Sequence, residues 1–201
     1  MRTAIVALLI ASPALAQNAS LSEGTITCSS PVSPNDSAKS LMLRYGGEAV
    51  IQDDLPGAED LTYKGVVLSP RAMDRRIEIW FTDDTLNQVA GLGIPETVKT
   101  SRWNVAGVTI GSSLAQVQRI NGKPFLVNGF EWDFGGWVAD WKGGIFGRPL
   151  RGGCKVALRF GTDAITPKGL SGEGVKVFSD NATLVKLRPV VTGIVLNFGS
   201  R

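Results

Sequence analysis

The sequence contains no histidine. Ser-His-Asp and Cys-His catalysis both need an imidazole base, so the composition excludes these chemistries, together with zinc sites built on histidine ligands. There are only two cysteines, Cys28 and Cys154. If they pair with each other, no free thiol remains to act as a nucleophile. We therefore expect no cofactor and no metal, and we favour a protein that is not an enzyme.

Long apolar runs, basic runs and phosphate-binding loops are also missing. No segment reaches the roughly 18 uninterrupted apolar residues of a transmembrane helix, and no basic run resembles a nucleic-acid-binding motif. We expect neither a transmembrane segment nor a nucleic-acid partner. The glycine pairs in Gly91-Leu92-Gly93 and Gly172-Glu173-Gly174 lack the strand-then-helix context of a dinucleotide site, and we interpret both as loops.

Residues 1–16 have the pattern of an export signal. Arg2 precedes an apolar run at 4–11, and Ala14-Leu15-Ala16 supplies the small residues that a signal peptidase recognises. The mature chain is expected to begin at Gln17, in the periplasm or outside the cell.

In such an oxidising compartment Cys28 and Cys154 most simply form one disulfide; two separately buried thiols are the alternative. The bridge would enclose 125 residues, and chain-entropy reasoning values a loop of that size at about 4–5 kcal/mol. It would also join two oppositely charged halves, because residues 17–100 carry 7 basic and 12 acidic side chains whereas residues 101–201 carry 13 and 6. The basic half is either a surface for an acidic partner, or its charges are neutralised by the other half or by solvent.

The first half is predicted to contain a short helix followed by strands. Ser33 or Asn35 can cap the helix, apolar residues recur at helical spacing over 38–45, and Gly46-Gly47 ends it. Alternating or apolar runs predict strands along the whole chain. These predicted strands are 25–28, 63–68, 76–82, 86–92, 125–134, 137–141, 154–160, 174–178 and 190–198. In the run 76–82, Ile77, Ile79 and Phe81 alternate with Glu78 and Trp80, so one face is apolar and Trp80 points away from it, either exposed or covered by the other half.

The second half opens in the same way, with Ser112 or Ser113 as the cap of a helix that Asn121-Gly122 ends. Residues of matching type recur 76 positions apart in the helices and 79 apart in later strands. Ser37, Leu41 and Gly46 match Ser113, Val117 and Gly122, and Ile79, Phe81 and Asp84 match Leu158, Phe160 and Asp163. We therefore predict an internal repeat and an α+β fold of two related helix-plus-antiparallel-sheet units, 17–100 and 101–201, which pack together because neither buries much surface alone.

One segment of the second half resembles a known family. It runs Thr109-Ile110-Gly111-Ser112-Ser113-Leu114-Ala115-Gln116-Val117 and continues at Asn121-Gly122-Lys123-Pro124. It is similar to the opening of small exported domains of the BamE-like and beta-lactamase-inhibitor-protein-like kind, over about residues 105–160 and more faintly over 30–84. The resemblance implies helical segments before an antiparallel meander, sometimes in tandem, and a protein that acts by binding other proteins. Gln17 stands where the lipoprotein members carry a lipid-attachment cysteine.

Three of the five tryptophans lie between Gly129 and Gly144. A two-residue turn at Gly135-Gly136 would make this segment a hairpin. Its register would place Phe130, Trp132, Phe134, Trp137, Ala139 and Trp141 on one face, and Glu131, Asp133, Val138 and Asp140 on the other. The aromatic face either packs in the core or forms a partly exposed platform for a protein, peptide or sugar. The acidic face is a solvated surface, a weak calcium site or a carboxylate pair for glycoside chemistry.

The candidate binding residues are Trp132, Trp137, Trp141, Lys142, Arg148 and Arg151. The two arginines lie among glycines and would either clamp an anion or belong to a flexible surface loop. Our first hypothesis is an exported non-enzymatic binding protein that contacts a protein or cell-envelope partner through this aromatic and basic surface. The alternative is a carboxylate-dependent hydrolase of a glycan or envelope polymer that uses Glu131, Asp133 or Asp140. A structural envelope protein with no small-molecule site is the third possibility.

Overall fold

The structure, a computed structural model, describes residues 24–57 and 61–199. The predicted export signal at 1–16 lies outside the described residues. Within them the α-helices are α1 (Ala38–Tyr45), α2 (Leu114–Asn121) and α3 (Ala182–Leu187). The strands there are β1 (Thr25–Ile26), β2 (Ala49–Pro56), β3 (Thr62–Leu68), β4 (Ile77–Phe81), β5 (Val89–Ile94), β6 (Asn104–Val105), β7 (Leu126–Asn128), β8 (Val138–Asp140), β9 (Lys155–Gly161), β10 (Lys176–Phe178) and β11 (Val190–Asn197). The predicted α+β class is confirmed.

Six strands form one antiparallel sheet in the order β2-β3-β4-β5-β11-β9. The first four are a meander from the first half of the chain, and the last two come from the second half. Strands β5 and β11 pair from Ile94↔Ile194 to Gly91↔Asn197. One continuous sheet therefore crosses the predicted boundary at residue 100, and the largest sheet belongs to both halves.

Two smaller sheets and a disulfide complete the fold. Strands β10, β7 and β8 form an antiparallel three-stranded sheet, and β1 pairs in parallel with β6. The predicted bridge between Cys28 and Cys154 is present, with Cα atoms 5.4 Å apart. It links the segment after β1 to the start of β9, and both cysteines belong to the buried core.

The helices begin and end where local signals are strongest. Ser37 caps α1 in a capping box with Ser40, whereas the predicted cap Ser33 accepts a hydrogen bond from the Asn35 backbone in the preceding turn. Ser113 caps α2 in the same way with Gln116. Gly46 and Gly122 end the two helices, as predicted. The two helices thus share a capping box at their first turn and a glycine after their last residue.

The strands after the two helices are arranged differently. Strand β4 lies between β3 and β5, whereas its predicted counterpart β9 is an edge strand beside β11. After α2 the chain first forms β7 and β8, which belong to the small sheet. The predicted strand at 125–134 is reduced to β7, and α3 was not predicted.

The core covers one face of the six-stranded sheet. The apolar face predicted for β4 is confirmed at Ile77 and Ile79, which are fully buried, whereas Phe81 follows a register shift and is only half-buried. Leu41 of α1 and Val117 of α2 join the same buried cluster. In the described part of the chain, no helix combines the length and apolar character needed to cross a membrane.

Candidate functional site

The opposite face of the six-stranded sheet carries an open groove of about 1120 Å³, which we call the sheet groove. Small residues of the central and edge strands line it, among them Gly93, Gly193 and Ala157. Its aromatic lining residues are Tyr63, Trp80 and Phe81 from the first half and Trp132, Phe134 and Trp137 from the second. The two halves of the chain therefore each contribute three aromatic rings.

Trp80 on β4 forms the first side of the sheet groove. It is paired in register with Gly91 of β5. A Cβ atom placed on Gly91 would lie 2.4 Å from Trp80 Cζ2, and one on Gly93 would lie 3.4 Å from Trp80 Cζ3. The six-membered ring of the indole thus lies over both glycines, and a side chain at Gly91 would occupy its place.

These glycines correct one prediction. Gly91-Leu92-Gly93 was interpreted as a loop, but it lies within β5, where the missing side chains make room for the Trp80 ring. Gly172-Glu173-Gly174 does lie outside the strands, and Gly172 and Gly174 have φ angles of 102° and 79°. Such angles are typical of glycine-containing turns.

The second side of the sheet groove is the 129–137 segment, which connects β7 to β8. Its backbone is fixed to distant parts of the chain, since the Phe130 N–H donates to the Leu170 carbonyl at 2.7 Å and the Phe160 N–H donates to the Gly136 carbonyl at 2.8 Å. Gly136 has a φ of 75°, and a Cβ atom there would lie 1.9 Å from the Phe160 carbonyl oxygen. Only glycine therefore fits this contact with β9.

The predicted two-residue hairpin is therefore wrong. Val127 pairs with Val138, so the nine residues between β7 and β8 form a loop. The aromatic residues do not share one face, because Phe130 is buried whereas Trp132 and Phe134 extend into the sheet groove, with ring centroids 5.5 Å apart.

Of the predicted binding residues, Trp132 and Trp137 line the sheet groove. Trp141 packs elsewhere, with its ring centroid 5.1 Å from that of Phe125, and this contact gives it a structural place beside the core. Lys142, Arg148 and Arg151 are exposed residues that are not part of the groove lining. The structure therefore brings together two of the six predicted binding residues.

Of the three carboxylates predicted for a hydrolase, only one lines the sheet groove. Asp133 lines the sheet groove, and Glu131 accepts a hydrogen bond from the Ser171 hydroxyl at 2.6 Å. Asp140 accepts one from the Lys142 backbone N–H at 2.7 Å, and this bond is the main cause that lowers the pKa of Asp140. A lowered pKa favours the ionised carboxylate and disfavours a role as general acid.

Sequence reasoning missed several residues of the site, among them Tyr63, Glu96 and Arg159. Arg159 of β9 forms an ion pair with Glu96, and its Nε donates to the Gly135 carbonyl at 2.8 Å. One side chain thus fixes the 129–137 segment to the sheet. Trp80 was predicted to point away from the apolar face of its strand, which was the available signal for a second functional face.

Tyr63 of β3 is a half-buried phenol in the sheet groove. Burial, with a further contribution from the charge of Glu78, raises the pKa of Tyr63 to about 12. Glu78 is itself buried, and its Oε1 forms an ion pair with Arg76 Nη2 at 2.8 Å. Tyr63 therefore presents a neutral hydroxyl to the groove at every ordinary pH.

In the part of the chain that the structure describes, no group of three or more His, Cys, Asp or Glu residues could hold a metal ion. Comparisons with protein-family models, curated proteins and solved structures find no match for this chain. The resemblance to exported binding domains stays a prediction, and the function has to be argued from the sheet groove.

Proposed function

We propose that this chain is an exported, non-enzymatic binding protein that holds a segment of another polypeptide in the sheet groove. The observation that carries the proposal is the pair of aromatic sides. The Trp80 ring lies over the glycines of β5, and Trp132 and Phe134 lie on the 129–137 segment, which is next to the edge strand β9. Aromatic rings that are only partly buried in a free protein are the residues that most often supply binding energy at interfaces.

The dimensions of the sheet groove favour a polymer segment over a small molecule. Its volume of about 1120 Å³ lies just above the range of roughly 300–1000 Å³ typical of small-molecule sites, and it is partly open to solvent. Strands β4 and β9 are three positions apart in the sheet, which corresponds to roughly 14 Å between their backbones. An extended chain or a single helix fits a width of that order.

Export is supported by two further observations. The disulfide between Cys28 and Cys154 is of a kind that persists in oxidising compartments. Residues 1–16 have the composition of a signal peptide. The resemblance to small exported domains that bind other proteins points the same way.

The hydrolase alternative receives less support from the geometry. Glu131 and Asp140 are engaged with Ser171 and Lys142 and are not part of the groove lining. Of the three carboxylates predicted for a hydrolase, Asp133 is therefore the one that could act in the sheet groove. An Asp133→Asn variant that abolished a measured turnover of an envelope glycan would favour the hydrolase.

The test uses a displayed library of random twelve-residue peptides, selected on the immobilised protein with its disulfide intact. Two single variants are compared. Phe134 lies in the sheet groove and is 47% exposed, whereas Phe178 lies outside it and is 46% exposed. Phe134→Ala is expected to weaken the selected peptides at least about 10-fold, and Phe178→Ala should change their affinity less than about 2-fold. Circular dichroism melts of both variants verify that they are folded.

Two results would contradict the proposal. One is the selection of no peptides, or of peptides that bind Phe134→Ala and Phe178→Ala equally well. The other is binding of neutral oligosaccharides on a glycan array in a manner that depends on Phe134, with no peptide selected. The second result would identify a glycan as the occupant.

A further inference from the structure

The charged side chains that line the sheet groove do not balance. Four of them belong to ion pairs: Lys64 with Asp53 at 3.3 Å, Glu78 with Arg76, and Glu96 with Arg159, which also lines the groove. The remaining lining carboxylates are Asp83, Asp84 and Asp133. Among residues 24–57 and 61–199, none of the three has a cationic partner. The sheet groove therefore carries an excess of negative charge in a chain whose formal net charge is +3.

These carboxylates lie beside the aromatic rings. Asp83 and Asp84 come shortly after Trp80 in the chain, and Asp133 lies between Trp132 and Phe134. Hydrogen bonds from the side chain and backbone of Thr85 lower the pKa of Asp83, so its carboxyl stays ionised. All three aspartates are exposed. Each side of the sheet groove thus combines an aromatic face with at least one available anion.

This combination is suited to a cation with an apolar stem. A guanidinium or ammonium group is attracted to an aromatic face, and a nearby carboxylate adds an ion pair. The alkyl parts of lysine and arginine side chains pack against rings while the charged ends remain hydrated. A neutral glycan would leave the excess negative charge without a counterpart.

We propose that the polypeptide segment held in the sheet groove is basic, with lysine or arginine side chains that lie against the aromatic rings and pair with Asp84 and Asp133. This inference rests on the proposed function and specifies its partner. Charge complementarity of this kind steers a partner towards its site and fixes its register. The expected partner is an exported or envelope protein with an exposed basic, extended or helical segment.

The test compares two double variants that change the net charge equally. Asp84→Asn with Asp133→Asn removes the two groove carboxylates that accept no hydrogen bond from residues 24–57 or 61–199. Asp163→Asn with Glu173→Gln removes two exposed carboxylates outside the groove lining. Peptides selected on the wild-type protein are labelled with a fluorophore, and their affinities are measured by anisotropy at low and high salt.

We expect lysine and arginine to be enriched at least about twofold in the selected peptides over the starting library. The groove double variant should weaken these peptides at least about 10-fold, and the control variant less than about 2-fold. The difference between the two variants should shrink at high salt, because exposed charges are screened within a few ångströms there.

The outcomes separate this inference from the proposed function. If Phe134→Ala weakens the peptides but the two double variants behave alike, or if lysine and arginine are not enriched, the sheet groove binds polypeptides without a charge preference and the inference is wrong. If Phe134→Ala has no effect either, both proposals are wrong.

Discussion

The two faces of the six-stranded sheet are built from the same strands but have different roles. Ile79 and Trp80 are neighbours on β4, yet Ile79 is fully buried in the core and Trp80 lies half-buried in the sheet groove. The core face packs against the buried cluster to which residues of the helices belong, whereas the other face is built on glycines and carries the sheet groove. Alternation along one strand therefore separates residues that stabilise the fold from residues available for binding.

The largest effect is expected from a substitution on the core face. Ile79→Ala should lower the free energy of unfolding by about 3 kcal/mol, because it leaves a cavity in a closely packed interior. Trp80→Ala should cost less stability and should abolish binding of the selected peptides. Urea unfolding and peptide affinity, measured on both variants, check the contrast. An equal loss of stability would mean that Trp80 belongs to the core, and the comparison of faces would fail.

A smaller loss of stability is expected from substitution of the glycines of β5 that lie under the Trp80 ring. Gly91→Ala would place a Cβ atom 2.4 Å from the indole and 2.6 Å from the Leu196 carbonyl oxygen. Overpacking of this kind costs about 2 kcal/mol. Gly93→Ala is the matched control, because its nearest contact is 3.1 Å, to the Ile194 carbonyl oxygen. Urea unfolding should show the greater loss for Gly91→Ala, and equal losses would argue against a ring that lies over β5 at this point.

The smallest effect is expected on the free energy of unfolding at high pH, through the ionisation of Tyr63. The phenol ionises near pH 10 in the unfolded chain, whereas in the folded state burial raises the pKa of Tyr63 to about 12. The unfolded state loses its proton first, so the free energy of unfolding falls as the pH rises from 10 to 12. Because the ring is only half-buried, we expect a loss of about 1 kcal/mol rather than the full value of the shift.

Tyr63→Phe should remove this part of the pH dependence. Urea unfolding of both proteins at pH 9 and pH 11 measures it, and the stability at pH 9 provides the reference for each protein. Identical changes in stability between the two pH values would show that the Tyr63 phenol is as well solvated in the folded state as in the unfolded chain.

Local signals predicted much of the core face. Ser113 and Gly122 define α2 through hydrogen bonds within a few residues of each other, so the sequence alone suffices to find them. The alternation of Ile77 and Ile79 predicted the buried face of β4 in the same way. The disulfide followed from composition, because the chain contains only one possible pair.

The sheet groove could not be predicted in the same manner, since its parts meet only through long-range pairing. The position of the Trp80 ring depends on the register of β4 with Gly91, eleven residues later in the chain. The 129–137 segment departs from the expected hairpin because its backbone bonds with Phe160 and Leu170 outweigh the local preference of Gly135-Gly136 for a tight turn. The net charge of each half likewise did not indicate that Asp83, Asp84 and Asp133 line the same groove.

The covalent bridge between Cys28 and Cys154 also has a mechanical consequence. If tension were applied between Gly24 and Gly199, it would pass through the sulfur atoms and bypass the 125 residues between them. Strands β2 to β5, which form most of the sheet, lie inside the covalent ring and would feel the load only through the pairing of β5 with β11 while the bridge lasted. A molecule stretched in this way could extend only by the residues outside the ring, 24–27 and 155–199, so the pull would reach β9 and β11 before it reached the meander.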